Sequence, residues 1–389
     1  MIKELTTENT RLPAGWCSEK LDALCDVEYG TRVVRKTDGG TIYPVYGGGG
    51  ATFFMDTFNR EDCLVVARFA MSEKCTRFVN GKFFLNDSGL SVKPKDTDIV
   101  SQEFLNKYFI FLNDYIYSLA RGAAQKNLNV PAFRKIEILH PESLTKQRQI
   151  VATLDKAFAA IDTAKANAEQ NLQNAKELFE SYLQNVFENK GDDWEEKRLD
   201  EVCEITSKLI DPKESQYQEL IHIGAGNIVS EKGTLVDLQT AREENLISGK
   251  FLFDESMVLY SKIRPYLKKI IKCDFKGLCS ADIYPLVPFK DKITQPFLFH
   301  LLSSYHFTEY AIEGSQRAGM PKVNRKHLFA YSFYCPTIEE QKKIVKKLDS
   351  LSAETKKLEA IYIQKIADLE EMKKSVLQKA FSGQLSTRN

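Results

Sequence analysis

Gln147-Arg-Gln-Ile-Val151 and Gln341-Lys-Lys-Ile-Val345 are one phrase written twice, at an offset of 194 (341 − 147). Without a gap, Leu154-Asp155 then falls on Leu348-Asp349. Further on, Ser181, Leu183, Gln184 and Phe187 fall on Ser375, Leu377, Gln378 and Phe381. An ungapped match over about 40 residues is what one continuous helix per copy produces, because an insertion would rotate its apolar face. The helical period is visible as well. The first copy runs Ile150, Leu154, Ala157, Ile161, Ala164, Ala168; the second runs Ile344, Leu348, Leu351, Thr355, Leu358, Tyr362 and resumes at Leu369, Met372, Val376. Alternating steps of four and three make the heptad seam of a coiled coil. One seam is alanine-rich and the other bulky, so the two helices are expected to pair with each other. A whole domain lies between them, which favours an antiparallel pair. Asn171 and Lys365 interrupt the seam at equivalent points. They either set the register or stand in solvent while the seam drifts onto Leu172 and Ile366; the second is the expectation. Thr337-Ile-Glu-Glu340 has capping-box spacing, and Ser143 is the corresponding cap of the first copy, with Lys146 where the acid would be.

The segments before each helix match more loosely. Trp16 and Lys20-Leu-Asp22 correspond to Trp194 and Arg198-Leu-Asp200, and Cys25 falls on Cys203. Later, Asn129 falls on Asn324 and Pro141 on Pro336, at a larger offset, so the second domain carries a net insertion. The boundaries that follow are a domain at 1–142, a helix at 143–190, a second domain at 191–336 and a second helix at 337–389. Strand-like runs occur at 41–46, 63–67 and 89–92, with a helical pattern over Gln102–Ser118. The second domain repeats this at 219–223, 257–261 and 283–287, with a helix near 295–304. The fold class is therefore α+β: two similar domains separated by two long helices in an antiparallel coiled coil.

Candidate contact loops recur at like places. Gly30–Lys36, with Arg32, Arg35 and Lys36, is matched by Thr206-Ser-Lys208. Tyr46-Gly47-Gly48-Gly49-Gly50 is matched by the stretch from His222 through Ile223-Gly-Ala-Gly to Asn227. Bare backbone N–H groups can approach a phosphate closely in such loops, although four glycines also simply make a turn. Arg121-Gly-Ala-Ala-Gln125-Lys126-Asn127-Leu-Asn129 is matched by Arg317-Ala-Gly-Met-Pro-Lys322-Val-Asn324. These side chains have the multiple donors that read base edges and phosphates. They are ordinary on surfaces too; recurrence of a cationic, amide-bearing loop before each long helix is what singles them out. Arg68, Lys262 and Arg264 complete the candidate set.

Composition excludes several classes. Lys and Arg number 54 against 53 Asp and Glu, so any polyanion must be met by local arrangement rather than bulk field. No apolar run is long enough to span a membrane, and Met1–Thr10 does not read as a signal peptide. The eight cysteines form no C-x-x-C pair and the histidines are scattered singly, so metal-ligand spacing is lacking and reduced cytoplasmic thiols are expected. No Gly-Lys-Ser/Thr follows the glycines, and neither His-Glu-x-x-His nor Pro-Pro occurs. Glu195-Glu-Lys197 matches a fragment of a nuclease signature, but such triplets are common. No cofactor motif and no catalytic residue is assigned.

Two similar helices, each behind a divergent domain, with Leu12-Pro-Ala-Gly-Trp16 at the start and Ala380-Phe-Ser-Gly-Gln-Leu385 at the end, resemble the specificity subunits of type I restriction-modification enzymes. Pro336-x-x-Glu-Glu-Gln341 followed by Ile344 looks like that family's helix start; Lys146 before Gln147 departs from it. The resemblance implies a non-catalytic reader of double-stranded DNA. Each domain would take one half of a bipartite, asymmetric site, and the helices would set the spacing. It also implies two methyltransferase subunits docked on the helices and restriction subunits joining them, with no membrane. The charge count suits a subunit that leans on partners. Residues 1–142 hold 18 basic and 18 acidic side chains, and residues 191–336 hold 19 and 21, with no basic excess in either. The rival from another class is a coiled-coil scaffold with two protein-binding domains and no nucleic-acid role.

Overall fold

The computed structural model describes residues 12–205, 208–316 and 320–384, and its contacts divide the chain into two units. One comprises residues 1–169 with 364–389; the other comprises 170–363. Each unit therefore combines one α+β domain with part of both long helices.

In the first unit, strand Trp16–Lys20 pairs antiparallel with Glu137–Pro141, so the start and end of the domain are tied together. Between them lies a six-stranded sheet in the order 25–29, 89–94, 60–67, 76–85, 43–46, 51–55. Cys63-Leu-Val-Val-Ala67 is buried throughout, as a β-branched run inside a sheet should be. Helix Gln102–Phe111 lays Phe104, Leu105, Tyr108 and Phe109 into the core, and its N-terminus is capped by Ser101 Oγ, which accepts from the Phe104 N–H at 3.2 Å. The expected helix over 102–118 breaks at Leu112 into 102–111 and 113–118.

The second unit repeats the plan. Glu195–Arg198 pairs with Ser332–Cys335, and helix Gln295–Ser303 is capped by Thr294. A following helix, Tyr305–Glu313, was not expected from the sequence. Parallel pairing of Tyr46 with Leu85 in one unit corresponds to that of Ile223 with Cys279 in the other. The long strand 76–85 has no unbroken counterpart, however. Its equivalents, 270–272 and 277–280, belong to separate sheets of four and five strands. The extra residues of the second domain fall between 223 and 250, where only the short strand Gln239–Thr240 forms.

The long helices run Leu144–Glu188 and Ile338–Phe381. Thr337 Oγ1 accepts from the Glu340 N–H at 3.4 Å, the cap its sequence suggested. In the first unit Asp162 meets Lys373 at 2.9 Å and Lys165 meets Glu370 one turn on; numbers rise along one helix as they fall along the other, so the pairing is antiparallel. Asn171 and Lys365 are exposed while Leu172 and Ile366 are half-buried, as a drifting seam requires. The expected seam is wrong at Leu358 and Met372, which are 39% and 53% exposed. A straight helix turns past a strict heptad by about 20° per repeat, and burial passes to neighbouring positions such as Leu377. Among the described residues no helix is long and apolar enough to cross a membrane.

The repeated glutamines explain themselves here. Both are fully buried. Gln147 accepts from the Ser101 N–H at 2.9 Å and donates to the carbonyls of Ile99 at 2.8 Å and Pro141 at 2.9 Å. Gln341 does the same, accepting from Thr294 N–H at 2.8 Å and donating to Lys292 and Pro336 carbonyls at 2.9 and 3.0 Å. Each glutamine bolts the start of a long helix to the capped start of the domain's own helix.

Candidate nucleic-acid interface

All three loops that the sequence singled out in the first domain meet at one end of its sheet, around the turn Asn86-Asp-Ser88. The Arg68 N–H donates to Ser88 O at 2.8 Å, and the Leu128 N–H donates to Arg68 O at 2.8 Å, which docks the hairpin 120–128 onto residue 68. The Gly48 N–H donates to Ser88 Oγ at 3.0 Å, and Thr31 N–H donates to Leu85 O at 2.9 Å, which brings in the glycine run and the start of the Arg32–Lys36 segment. Arg32, Arg35, Lys36, Gly49, Arg121, Gln125 and Lys126 are exposed there. The Lys126 ammonium lies 4.4 Å from the Tyr117 ring, and the Arg68 guanidinium lies 4.7 Å from the Tyr29 ring and 4.3 Å from that of Phe69. Stacking of this kind holds a cation in place, and Arg68 is fixed further by Nη1, which donates to Asp87 O at 3.1 Å.

The second domain builds the same frame from different side chains. Lys262 takes the place of Arg68: its N–H donates to Asp282 O at 3.0 Å, and the Val323 N–H donates to Lys262 O at 2.8 Å. Arg264 N–H donates to Pro321 O at 2.9 Å, and Lys269 Nζ reaches the Ala225 carbonyl of the His222–Asn227 loop. Arg264 and Lys268 both sit in the left-handed region, at φ 50° and 44°, on either side of Pro265–Leu267. Holding two non-glycine residues there costs backbone strain, and the result presents Arg264 and Tyr266 to solvent.

Several expected contacts turn out to be framework. Gly47 and Gly48 are buried, and a Cβ at Gly47 would meet Ser88 Oγ at 2.2 Å, so the run is glycine there for packing. Tyr46 is half-buried, edge-on to Phe83. Asn127 accepts from the Ala70 N–H at 3.2 Å. Asn227 closes its own loop, accepting from Gly224 N–H and donating to the carbonyls of Val236 and Asp237. Asn324 is the N-cap of helix Arg325–Phe329, as Asn129 is of Val130–Arg134, which makes their sequence match a capping match. In its other amide orientation the Asn129 oxygen accepts instead from Arg121, at 2.9 Å. Lys262 and Lys322 both meet Asp282, at 3.5 and 3.2 Å. Burial pushes the Asp282 carboxyl up, but the two ammonium groups outweigh it and hold it below the usual range. Lys208 is exposed; Arg317, Thr206, Ser207 and Met1–Thr10 lie outside the described residues. Tyr29, Phe69 and Tyr266 were missed, because a ring stacked on a cation far along the chain leaves no spacing signal.

His222 also has to be taken off the surface. It is buried, with Nδ1 2.9 Å from Glu244 Oε2. Burial holds its pKa below the ordinary 6.5, with the Glu244 bond pulling the other way. The unfolded chain therefore takes up the proton more readily, and the second unit should lose stability as pH falls through about 6.5. Thermal melts across mildly acidic pH should show that slope, and His222→Asn should flatten it. An unchanged slope would assign the acid sensitivity elsewhere.

The geometry defines a class: tandem α+β domains, each offering a cation-bearing loop face on a shared frame, with long helices between. Residues 13–174 and 191–368 each match the type I restriction modification DNA specificity domain, and the chain belongs to that family. It is 30% identical over 319 residues to the EcoDI specificity subunit of Escherichia coli, covering 71% of this chain and 70% of that protein. The MjaVIII specificity subunit of Methanocaldococcus jannaschii is 22% identical over 358 residues, covering 79% and 77%. In fold, the chain is similar to a component of a type I restriction-modification system solved in a study of its assembly and conformational transition. That match has a TM-score of 0.76 at 17% identity and covers 97% of this chain and 100% of the other. The HsdS subunit of Thermoanaerobacter tengcongensis matches at 0.59 with 18% identity, covering 97% and 99%.

Proposed function

We propose that the chain is the DNA-sequence-reading subunit of a type I restriction-modification complex, each loop face reading one half of a bipartite site. The observation that carries this is the common frame with unlike occupants: Arg68 over Tyr29 in one unit, Lys262 beside Asp282 in the other. A fixed scaffold with exchanged side chains is what reading two different half-sites requires. Arg32, Arg35, Lys36, Arg121, Gln125 and Lys126 serve the first face; Lys208 and Arg264 serve the second. Modification chemistry belongs to methyltransferase subunits docked on the helices, which take the target base out of the stack. Restriction subunits join that complex, in the cytoplasm where the DNA lies. With no basic excess in either domain, those partners supply much of the phosphate attraction.

The test is the methylation motif itself. Arg121→Ala with Gln125→Ala should alter only one half-site, and Arg264→Ala only the other. A lost base contact costs about 1–3 kcal/mol of discrimination at its position, whereas a lost phosphate contact weakens all sequences alike. The spacer should stay unchanged in both. Both half-sites intact in both variants, with the complex still assembled, would mean that other loops read the DNA.

A further inference from the structure

We propose that the first unit carries a binding site for one divalent transition-metal ion of the zinc class, made by Cys17, Glu19 and His140. The ligands come from the paired strands that close the domain. Cys17 lies directly opposite His140 in that ladder, and Glu19, two residues on, shares the face of Cys17. The Cys17 sulfur is 3.4 Å from His140 Nε2, and Glu19 Oε1 is 3.7 Å from the same nitrogen. The three ligand atoms lie within 4.8 Å of one another. Metal–ligand bonds of roughly 2.0–2.3 Å in tetrahedral geometry place donors about 3.3–3.6 Å apart, so the spacing suits a shared ion once the half-exposed Glu19 closes in and the Cys17 sulfur, 3.4 Å from both ring nitrogens, turns toward Nε2. The histidine is already oriented. It is 1% exposed, and Nδ1 lies 3.2 Å from the Pro141 carbonyl. With the proton on Nδ1 and donated there, Nε2 is left with its lone pair free for a metal, the outer-shell arrangement of metal-bound imidazoles.

The internal repeat supplies a second, independent observation. Register and sequence offset place Glu195, Lys197 and Cys335 of the second unit at the positions of Cys17, Glu19 and His140. There a built-in cation occupies the corner: Lys197 Nζ is 2.6 Å from Glu195 Oε2, and Cys335 lies opposite Glu195. The first unit replaces that lysine with a third ligand and has no cation of its own at the equivalent position. Burial, with the charges of Glu19 and Glu142, pushes the Cys17 thiol up, so the thiol keeps its proton until a metal displaces it. Thiolate, imidazole and carboxylate together suit zinc or cobalt(II) rather than calcium or magnesium, and the fourth position is left to solvent. Because the Pro141 carbonyl also accepts from Gln147, a bound ion would brace the start of the first long helix.

The experiment uses the full chain, stripped with a chelator and titrated with cobalt(II) alone. One equivalent should bind with a thiolate-to-cobalt charge-transfer band and the visible bands of four-coordinate geometry. Cys17→Ser should remove the charge-transfer band. Glu19→Gln, at a half-exposed position where folding is not at stake, should lower zinc affinity by at least the roughly 100-fold that losing an outer partner can cost. Cys17→Glu combined with Glu19→Lys transplants the second unit's ion pair; it should abolish binding and leave a melting temperature indifferent to zinc, whereas zinc raises that of the parent chain. No stoichiometric binding by the parent chain, or bands that persist in Cys17→Ser, would overturn the proposal. So would zinc affinity unchanged in Glu19→Gln.

Discussion

Replacing Gln147 by leucine should destabilise the first unit by about 3–5 kcal/mol, a large loss for a change that conserves volume. Leucine leaves little cavity. What it removes is the partner of the Ser101 N–H and of the Ile99 and Pro141 carbonyls, all within 3.0 Å of the amide in the native fold. A backbone group left unpaired costs about 1–3 kcal/mol when buried, and the Ser101 N–H and the Ile99 carbonyl both depend on this one side chain, while the Pro141 carbonyl keeps His140 Nδ1 at 3.2 Å. Gln341→Leu should cost a similar amount in the second unit, where the Thr294 N–H and the Lys292 and Pro336 carbonyls lose the same partner. Urea unfolding measures the loss. Hydrogen exchange locates it, with protection falling first over 102–111 in one variant and over 295–303 in the other. A loss below about 1 kcal/mol in both would show that water takes over the glutamine's role.

Phe381→Ala should cost about 3–5 kcal/mol, also in the first unit, although Phe381 is near the other end of the chain. Its ring lies 5.5 Å from Phe104, 5.0 Å from Tyr108 and 5.4 Å from Phe111, and it is 1% exposed. Leu377 and Ala380 enter the same core. Removal of the chain beyond Met372 should therefore unfold the first domain while the second keeps its structure, a separation visible by limited proteolysis. The repeat provides the control. Phe187 occupies the equivalent position and meets Phe297 at 5.5 Å, but it is only half-buried, so Phe187→Ala should cost less. Equal losses would mean that burial does not govern the difference.

These two expectations rest on residues that the sequence had already paired. Gln147 with Gln341 and Phe187 with Phe381 were visible as repeats, but their roles were not. A repeat reports that two positions do the same job. It does not report that a glutamine reaches back to Ser101, or that a phenylalanine completes the domain at the opposite end of the chain.

The sequence by itself determined the tandem plan, the two long helices, their caps at Thr337 and Ser143, the α+β character of the domains and the family. Periodicity, capping and ungapped repetition are local properties, and local properties survive in one dimension. Tertiary structure alone decided which candidate residues face outward. Asn227, Asn324, His222, Gly47 and Gly48 look like contacts in a string, yet each is consumed by a cap, a turn, a buried partner or a close approach. It alone stacked Arg68 on Tyr29 and brought Cys17, Glu19 and His140 within 4.8 Å. Antiparallel pairing joins residues 123 apart in sequence, as at Cys17 and His140. No spacing rule along the chain registers such a pair, because the ladder that creates it is closed by the whole domain folded between its two strands.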